Sequence, residues 1–213
     1  DTPVELEGGV FPGTSEVLIG GVPYVPTGVT PSEVDFTFPA ALFAIPGSYP
    51  VRVRDSADPA RVSNVRLFAV AFPVPVLDTL DPAFAYVGEG AAAVDVTGDR
   101  FFASGTTATV NGGGAAFART SLTTGVVTVA TGEAGDYEVR IVNASPGGGT
   151  SSAQTFQVRY RTPVLDAPIP ASAPLDSPDT EVTLPGAYFY DPETVVWLDG
   201  SPIAHEFVDD ETL

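Results

Sequence analysis

Val94-Asp95-Val96-Thr97-Gly98-Asp99-Arg100-Phe101 occurs in three versions along this chain. Upstream it reads Val4-Glu5-Leu6-Glu7-Gly8-Gly9-Val10-Phe11, and downstream Val182-Thr183-Leu184-Pro185-Gly186-Ala187-Tyr188-Phe189. Alternation of apolar and polar residues before the glycine puts every second side chain on one face of an extended strand. A second block, Thr109-Val110-Asn111-Gly112-Gly113, corresponds to Val17-Leu18-Ile19-Gly20-Gly21 and to Val196-Trp197-Leu198-Asp199-Gly200. A third, Gly135-Asp136-Tyr137-Glu138-Val139-Arg140-Ile141, matches Gly47-Ser48-Tyr49-Pro50-Val51-Arg52-Val53. Lead-in segments Pro75-Val76-Leu77-Asp78 and Pro163-Val164-Leu165-Asp166 match as well. The spacing is about 88 residues, the size of one small β-sandwich and too long for a solenoid repeat that needs neighbours to fold.

Between the repeated blocks the chain punctuates itself. With 22 Gly and 21 Pro in 213 residues, few windows could hold a helix of about 10 uninterrupted residues. Short alternating runs lie between the breaks. Tyr137, Val139 and Ile141 share one face and Glu138 and Arg140 the other. The runs Thr155–Tyr160 and Val51–Arg54 repeat the pattern. Asn111-Gly112 and Asp199-Gly200 are two-residue hairpin signals, because a type I′ turn needs left-handed backbone at both positions. Gly98, just past its strand, is expected at a turn or bulge with positive φ. The pattern predicts an all-β chain of tandem immunoglobulin-like sandwiches. The expected inter-sheet core of the middle unit is Phe101, Val110, Tyr137, Val139, Ile141, Phe156 and Val158, with the Tyr137 hydroxyl at the rim.

Phasing divides the chain into residues 1–72, a unit lacking its first strand; 73–161, a complete unit; and 162–213, the N-terminal part of a third. A half-sandwich exposes unpaired edges and an open core. The expected account is a window on a longer array, with donation of strands by a neighbouring chain as the alternative. The chain opens at Asp1 without a visible signal peptide, which fits either processing or an excerpt.

Charge and composition exclude several functions. There are 27 Asp+Glu against 9 Lys+Arg, a net charge of −18, with one His, no Cys and no Met. Every Lys-or-Arg position is Arg. Disulfides, Cys nucleophiles, Cys-ligated metals, Schiff-base lysines and Walker-type phosphate loops are therefore absent from this sequence. Nine scattered Arg do not make the basic surface that nucleic acid or an anionic membrane requires. No stretch approaches the roughly 18 apolar residues of a membrane span, so no membrane insertion is expected. A chain without Lys and rich in Ala, Gly, Pro, Val and Arg also has the composition of a GC-rich bacterial genome.

In order, the middle unit carries Pro75, Leu77, Asp81-Pro82, Gly88, Val94, Val96, Gly98, Phe101, Val110-Asn111-Gly112, Gly135, Tyr137, Val139, Ile141, Asn143, Ser152, Phe156 and Val158. This series resembles the IPT/TIG domain family, of immunoglobulin-like fold. The resemblance covers the chain once fully and twice in part. It departs from the pattern where Asn143 finds no counterpart near Arg54-Asp55, and where Ala167-Pro168-Ile169-Pro170 replaces Thr79-Leu80-Asp81-Pro82. The resemblance implies a binding or structural module, since the family occurs in surface receptors, in transcription factors and beside carbohydrate-active catalytic domains.

Candidate chemistry is sparse. His205 with Ser201 and Asp209-Asp210-Glu211 could be drawn as a triad, but no nucleophile elbow precedes them, and an exposed, solvated His is expected. The chain is therefore read as non-enzymatic. Asp176, Asp179, Asp191 and Glu193 in the third unit, and Asp55 and Asp58 in the first, are oxygen-rich turns that could hold Ca2+, but no EF-hand-type loop is present; turn chemistry with solubilising charge is the competing reading, and no cofactor is expected. Tyr188, Tyr190 and Trp197 form a candidate contact patch. The Pro-bearing joints Ala71–Pro75 and Tyr160–Pro163 suggest a semi-rigid rod. The expected role is a non-catalytic structural or adhesive segment of an extracellular or cell-surface protein. It would form a stalk or filament whose partners are neighbouring domains or further copies. The alternative is a carbohydrate-binding or spacer module of a secreted polysaccharide-active enzyme.

Overall fold

The computed structural model describes residues 2–213, nearly all strand and turn, with one 3-10 segment at Ala40–Ala44 and no α-helix among the described residues. The all-β, immunoglobulin-like class follows directly. In the first 70 residues the strands are β1 (Thr2–Glu7), β2 (Ser15–Ile19), β3 (Val22–Tyr24), β4 (Gly28–Val29), β5 (Glu33–Phe38), β6 (Gly47–Asp55) and β7 (Arg66–Val70). They form two antiparallel sheets, β1-β5-β4 and β3-β2-β6-β7. Their inward residues, among them Val17, Ile19, Val34, Phe36, Phe38, Val51, Val53 and Val70, make one core.

The next stretch repeats that plan with β8 (Val76–Asp81), β9 (Phe84–Tyr86), β10 (Ala91–Asp99), β11 (Thr106–Val110), β12 (Gly113–Ala115), β13 (Phe117–Arg119), β14 (Thr124–Ala130), β15 (Gly135–Asn143), β16 (Gly149–Thr150) and β17 (Gln154–Arg159). One sheet runs β13-β14-β10-β8; the other runs β12-β11-β15-β17-β9, with β16 on β15. Phe101, Val139, Ile141, Phe156 and Val158 fill the space between them, while Val110 and Tyr137 are only partly buried against it. Leu77, Ala85, Val94, Val96, Ala108, Val127 and Val129 complete the core. Both corner tyrosines donate four residues back: Tyr137 Oη to Glu133 O at 2.8 Å and Tyr49 Oη to Ile45 O at 2.7 Å. A ring can thus stay in apolar surroundings while its hydroxyl is satisfied at the rim.

Residues 162–213 hold β18 (Val164–Leu165), β19 (Gly186–Ala187), β20 (Val196–Leu198) and β21 (Ser201–Ile203), paired as β18-β19 and β20-β21. Among the described residues of this stretch only Phe189 is a buried apolar side chain.

Main-chain hydrogen bonds put the three versions of the opening block in one local geometry. Gly98 N donates to Thr123 O and Phe101 N to Leu122 O, both at 2.8 Å. Gly8 and Phe11 do the same to Ser32 and Pro31, at 2.9 and 3.0 Å, and Gly186 and Phe189 to Glu211 and Asp210, at 2.8 and 3.1 Å. Three details differ from the sequence-based expectation. The left-handed residue is not the glycine but the one two places on: Val10, Arg100 and Tyr188 have φ of 63°, 65° and 63°. Gly98 lies instead at a bulge in the β10–β8 ladder, where a Cβ would run into Val76 O and the Phe101 ring. The hairpins align Gly20-Gly21 with Asn111-Gly112 and Asp199-Gly200, all at positive φ, so the second block of the middle unit is shifted by one residue against those of the first and third. And Asn143 does have a counterpart: Asp55 ends β6 opposite Ser15 as Asn143 ends β15 opposite Thr106.

Candidate functional site

The polar and aromatic side chains concentrate where β17 leaves the middle sandwich. Strand β9 buries Ala85 and turns Phe84 and Tyr86 outward, so their rings lie beside the outgoing Arg159-Tyr160-Arg161. The Arg159 guanidinium lies over Phe84 at 4.7 Å. Arg161 stands over Tyr86 at 4.4 Å and over Tyr188 at 5.1 Å, and also pairs with Glu89. Tyr160 and Tyr190 are in ring contact, with centroids 4.6 Å apart. A cleft of about 420 Å3 opens between Tyr86, Arg159, Tyr160, Arg161, Thr162 and Tyr188.

Electrostatics follow these contacts. The Glu89 carboxylate is held below its ordinary range, first by the amide of Tyr86, which donates to it at 3.0 Å, and then by Arg161. The Tyr160 phenol is pushed up because its hydroxyl bonds to Glu193, whose negative charge opposes ionisation, and because it is partly desolvated. A guanidinium held against two rings and a carboxylate suits recognition or docking; the cluster contains no nucleophile paired with a base.

Of the expected contact patch, Tyr188 and Tyr190 belong to this cluster. Trp197, 61 % exposed on β20 opposite Pro202, takes no part in its ring contacts. Tyr86, Glu89, Tyr160 and Arg161 were not among the candidates. The signal was present in the alternation Phe84-Ala85-Tyr86 and Arg159-Tyr160-Arg161, two outward-facing pairs of matching period. Of the acidic candidates, Glu193 serves Tyr160, and Asp176 (φ 61°) lies in an exposed turn. Asp55 and Asp58 do turn chemistry: Ala57 N and Ala60 N donate to their carboxylates at 3.0 and 3.3 Å. The carboxylates that converge are others. Glu5, Glu33 and Asp35, adjacent across β1 and β5, bring oxygens within 4.8 Å of one another and could hold a cation. Their mutual repulsion pushes the Glu33 carboxyl up, Glu5 contributing most and Asp35 next. His205 is exposed in the loop after β21.

The other joint is apolar. Phe72 is buried, its ring centroid 5.2 Å from that of Phe102, and its main chain is clamped by the middle sandwich. Phe72 N donates to Pro146 O at 2.9 Å and Gly148 N to Phe72 O at 2.6 Å. Gly147, at φ 68°, lets this turn approach so closely that a Cβ would meet Ala71 Cβ at 2.6 Å.

The β-sandwich with its corner tyrosine, bulge glycine and buried Asn143 coincides with residues 75–158, which match the family model of the IPT/TIG domain. Residues 75–158 are an IPT/TIG domain. No curated protein matches this chain. Among solved structures it is similar to a Bacteroides ovatus mixed-linkage glucan utilization locus SGBP-B in complex with mixed-linkage heptasaccharide, at 16% identity and a TM-score of 0.28, covering 77% of this chain and 43% of that one. It is also similar to the plexin A4 full extracellular region, domains 1 to 8, at 14% identity and a TM-score of 0.32, covering 99% of this chain and 29% of that one. The chain thus spans less than half the length of either. Likenesses this distant carry nothing about what the IPT/TIG domain here binds.

Proposed function

We propose that this chain is a non-catalytic structural or adhesive segment of an extracellular or cell-surface protein, organised as IPT/TIG-like units at residues 1–72, 73–161 and 162–213 and used to span distance. The observation that carries the proposal is that both linkers are anchored on the middle sandwich. Phe72 is clamped by the turn Pro146-Gly147-Gly148, and Arg161 bridges Tyr86, Glu89 and Tyr188. Buried aromatic surface and charge-assisted contacts at a joint oppose bending that a free linker would allow. The large negative charge favours solubility of such a rod and resists lateral aggregation.

Small-angle scattering and negative-stain microscopy of the 213-residue chain test this. An elongated particle of fixed length is expected, with a broader distance distribution when Phe72→Ala and Arg161→Ala are combined. A wild-type chain as flexible as the double variant would overturn the rod.

A second reading is favoured by the cleft beside Tyr86, Tyr160 and Tyr188: a carbohydrate-binding module, with rings as stacking platforms and Arg161 as donor. Saturable retention on a polysaccharide column, lost in Tyr188→Ala, would select it over the rod.

A further inference from the structure

We propose that the outer edge of β1 in the first sandwich is an acceptor for one extended strand of the Pro-Val-Leu-Asp type, carried by a polypeptide segment other than these 213 residues. The site is separate from the aromatic joint and does not depend on the rod.

The chain shows this recognition twice. Strand β10 is paired on both sides, by β14 and by β8, and β19 is paired with β18. Strand β1 corresponds to β10 and has β5 on one side; among the described residues no strand pairs with its other edge. In the two complete cases the incoming strand seats a carbonyl on the bulge glycine: Val76 O over Gly98, and Val164 O over Gly186. Gly8 has the same main-chain bonds and the same phenylalanine ring folded back over it, but the nearest atoms to its missing Cβ are those of Phe11 alone. The seat for a carbonyl is thus preserved at Gly8. Beside it runs a groove of about 440 Å3, lined by Leu6, Gly8, Phe11, Val51, Val53 and Arg66.

The corner beyond Gly8 is open as well. Asp55, opposite Ser15, lines an adjoining cavity of about 200 Å3 with Val10 and Phe11. In the middle sandwich Asn143, which holds the position of Asp55, donates to Pro73 O, two residues ahead of Pro75, so the lead-in segment there reaches this corner.

Register defines the occupant. Leu77 lies opposite Gly98 and Val76 opposite Asp99; Leu165 lies opposite Gly186 and Val164 opposite Ala187. The acceptor at β1 therefore takes an antiparallel strand with Leu opposite Gly8 and Val opposite Gly9, main-chain bonds supplying affinity and the Leu pocket specificity. A second copy is not the occupant, because both of its strands of this type are already paired, with β10 and with β19.

The probe is a synthetic peptide with the sequence of residues 73–81, titrated into the full chain and followed by calorimetry and amide exchange. Saturable 1:1 binding is expected, with protection of residues 5–9 raised about tenfold or more and that of residues 95–99 unchanged. A peptide with Asp in place of the leucine matching Leu77 should lose both effects, which separates recognition from any misfolding of a protein variant. Absence of binding up to about 1 mM, the weak end of specific affinity, would overturn the proposal. So would concentration-dependent protection of residues 5–9 by the chain alone, which would assign the edge to a second copy.

Discussion

Asn143 and Asp55 stand at the same corner of two sandwiches, and each accepts from a threonine hydroxyl, but only Asn143 also donates. Asn143 Nδ2 donates to Pro73 O at 2.9 Å and to Arg100 O at 3.0 Å, while its Oδ1 accepts from Thr106 Oγ1 at 2.6 Å. Asp55 can only accept: Oδ1 takes Thr14 Oγ1 at 2.7 Å, and Oδ2 pairs with Arg61 at 3.2 Å. The amide ties the lead-in strand, the left-handed turn and β11 into one corner. The carboxylate ties its own following turn instead.

Asn143→Asp should therefore destabilise the middle sandwich by about 2–3 kcal/mol, because a buried carboxylate would face two carbonyls it cannot bond. Urea unfolding checks this. A change under about 0.5 kcal/mol, the scatter of ordinary surface substitutions, would show that the corner is not held by the amide.

The first sandwich should have two opposing acid responses. Thr14, the Ala57 amide and Arg61 hold Asp55 below its ordinary range. Its contribution is thus present above the unfolded value near about 3.9 and is lost as pH falls through the lower folded value. Glu33 is raised by Glu5 and Asp35, so its contribution is complete below about 4.3 and is lost as pH rises through the higher folded value. Melting temperature against pH should rise on acidification through the range of Glu33, then fall as Asp55 protonates. Glu33→Gln should remove the first limb and Asp55→Asn the second.

Ser15 and Thr106 occupy matching positions, but among the described residues the Ser15 hydroxyl is buried without a hydrogen-bond partner. Phe102 N donates to Thr106 Oγ1 at 2.7 Å, and Tyr190 N to Thr194 Oγ1 at 2.7 Å in the third stretch. In the first sandwich the matching residue is Pro12, which has no N–H to give. Ser15→Ala should thus stabilise the first sandwich by about 1 kcal/mol, whereas Thr106→Ala should cost the middle one about 1–2 kcal/mol. Exchange rates of the β2 and β11 amides measure each effect locally. Equal losses in the two variants would refute the assignment.

Gly98→Ala should cost about 3 kcal/mol or more, since its Cβ would displace the main chain of β8 as well as Phe101. Gly8→Ala should cost less, because there only the Phe11 ring must move. Thermal unfolding of the two variants gives the comparison, and a Gly8→Ala variant as damaged as Gly98→Ala would contradict it.

Alternation in Val94–Thr97 and Tyr137–Ile141, together with Asn111-Gly112, was enough to read the strands, the hairpins and the all-β class from sequence. Each of those signals is local: a period of two or a left-handed turn is encoded by residues next to one another. The register of the glycine blocks, the pairing of Asp55 with Asn143's position and the convergence of Tyr86, Arg161 and Tyr188 are of another kind. Asp55 was hidden because Asp and Asn look like unrelated turn residues until their strand partners, Ser15 and Thr106, are seen opposite them. Arg161 was hidden because its partners lie 75 residues upstream and 27 downstream.

The chain's order of residues thus determined what each segment is: strand, turn or joint. Tertiary structure alone decided which groups share a corner, which carbonyl sits on which glycine, and which edge of β1 has no strand against it among the described residues. The physical reason is that alternation and turn preference are properties of neighbouring peptide units, whereas burial and hydrogen-bond partnership depend on the packing of distant strands.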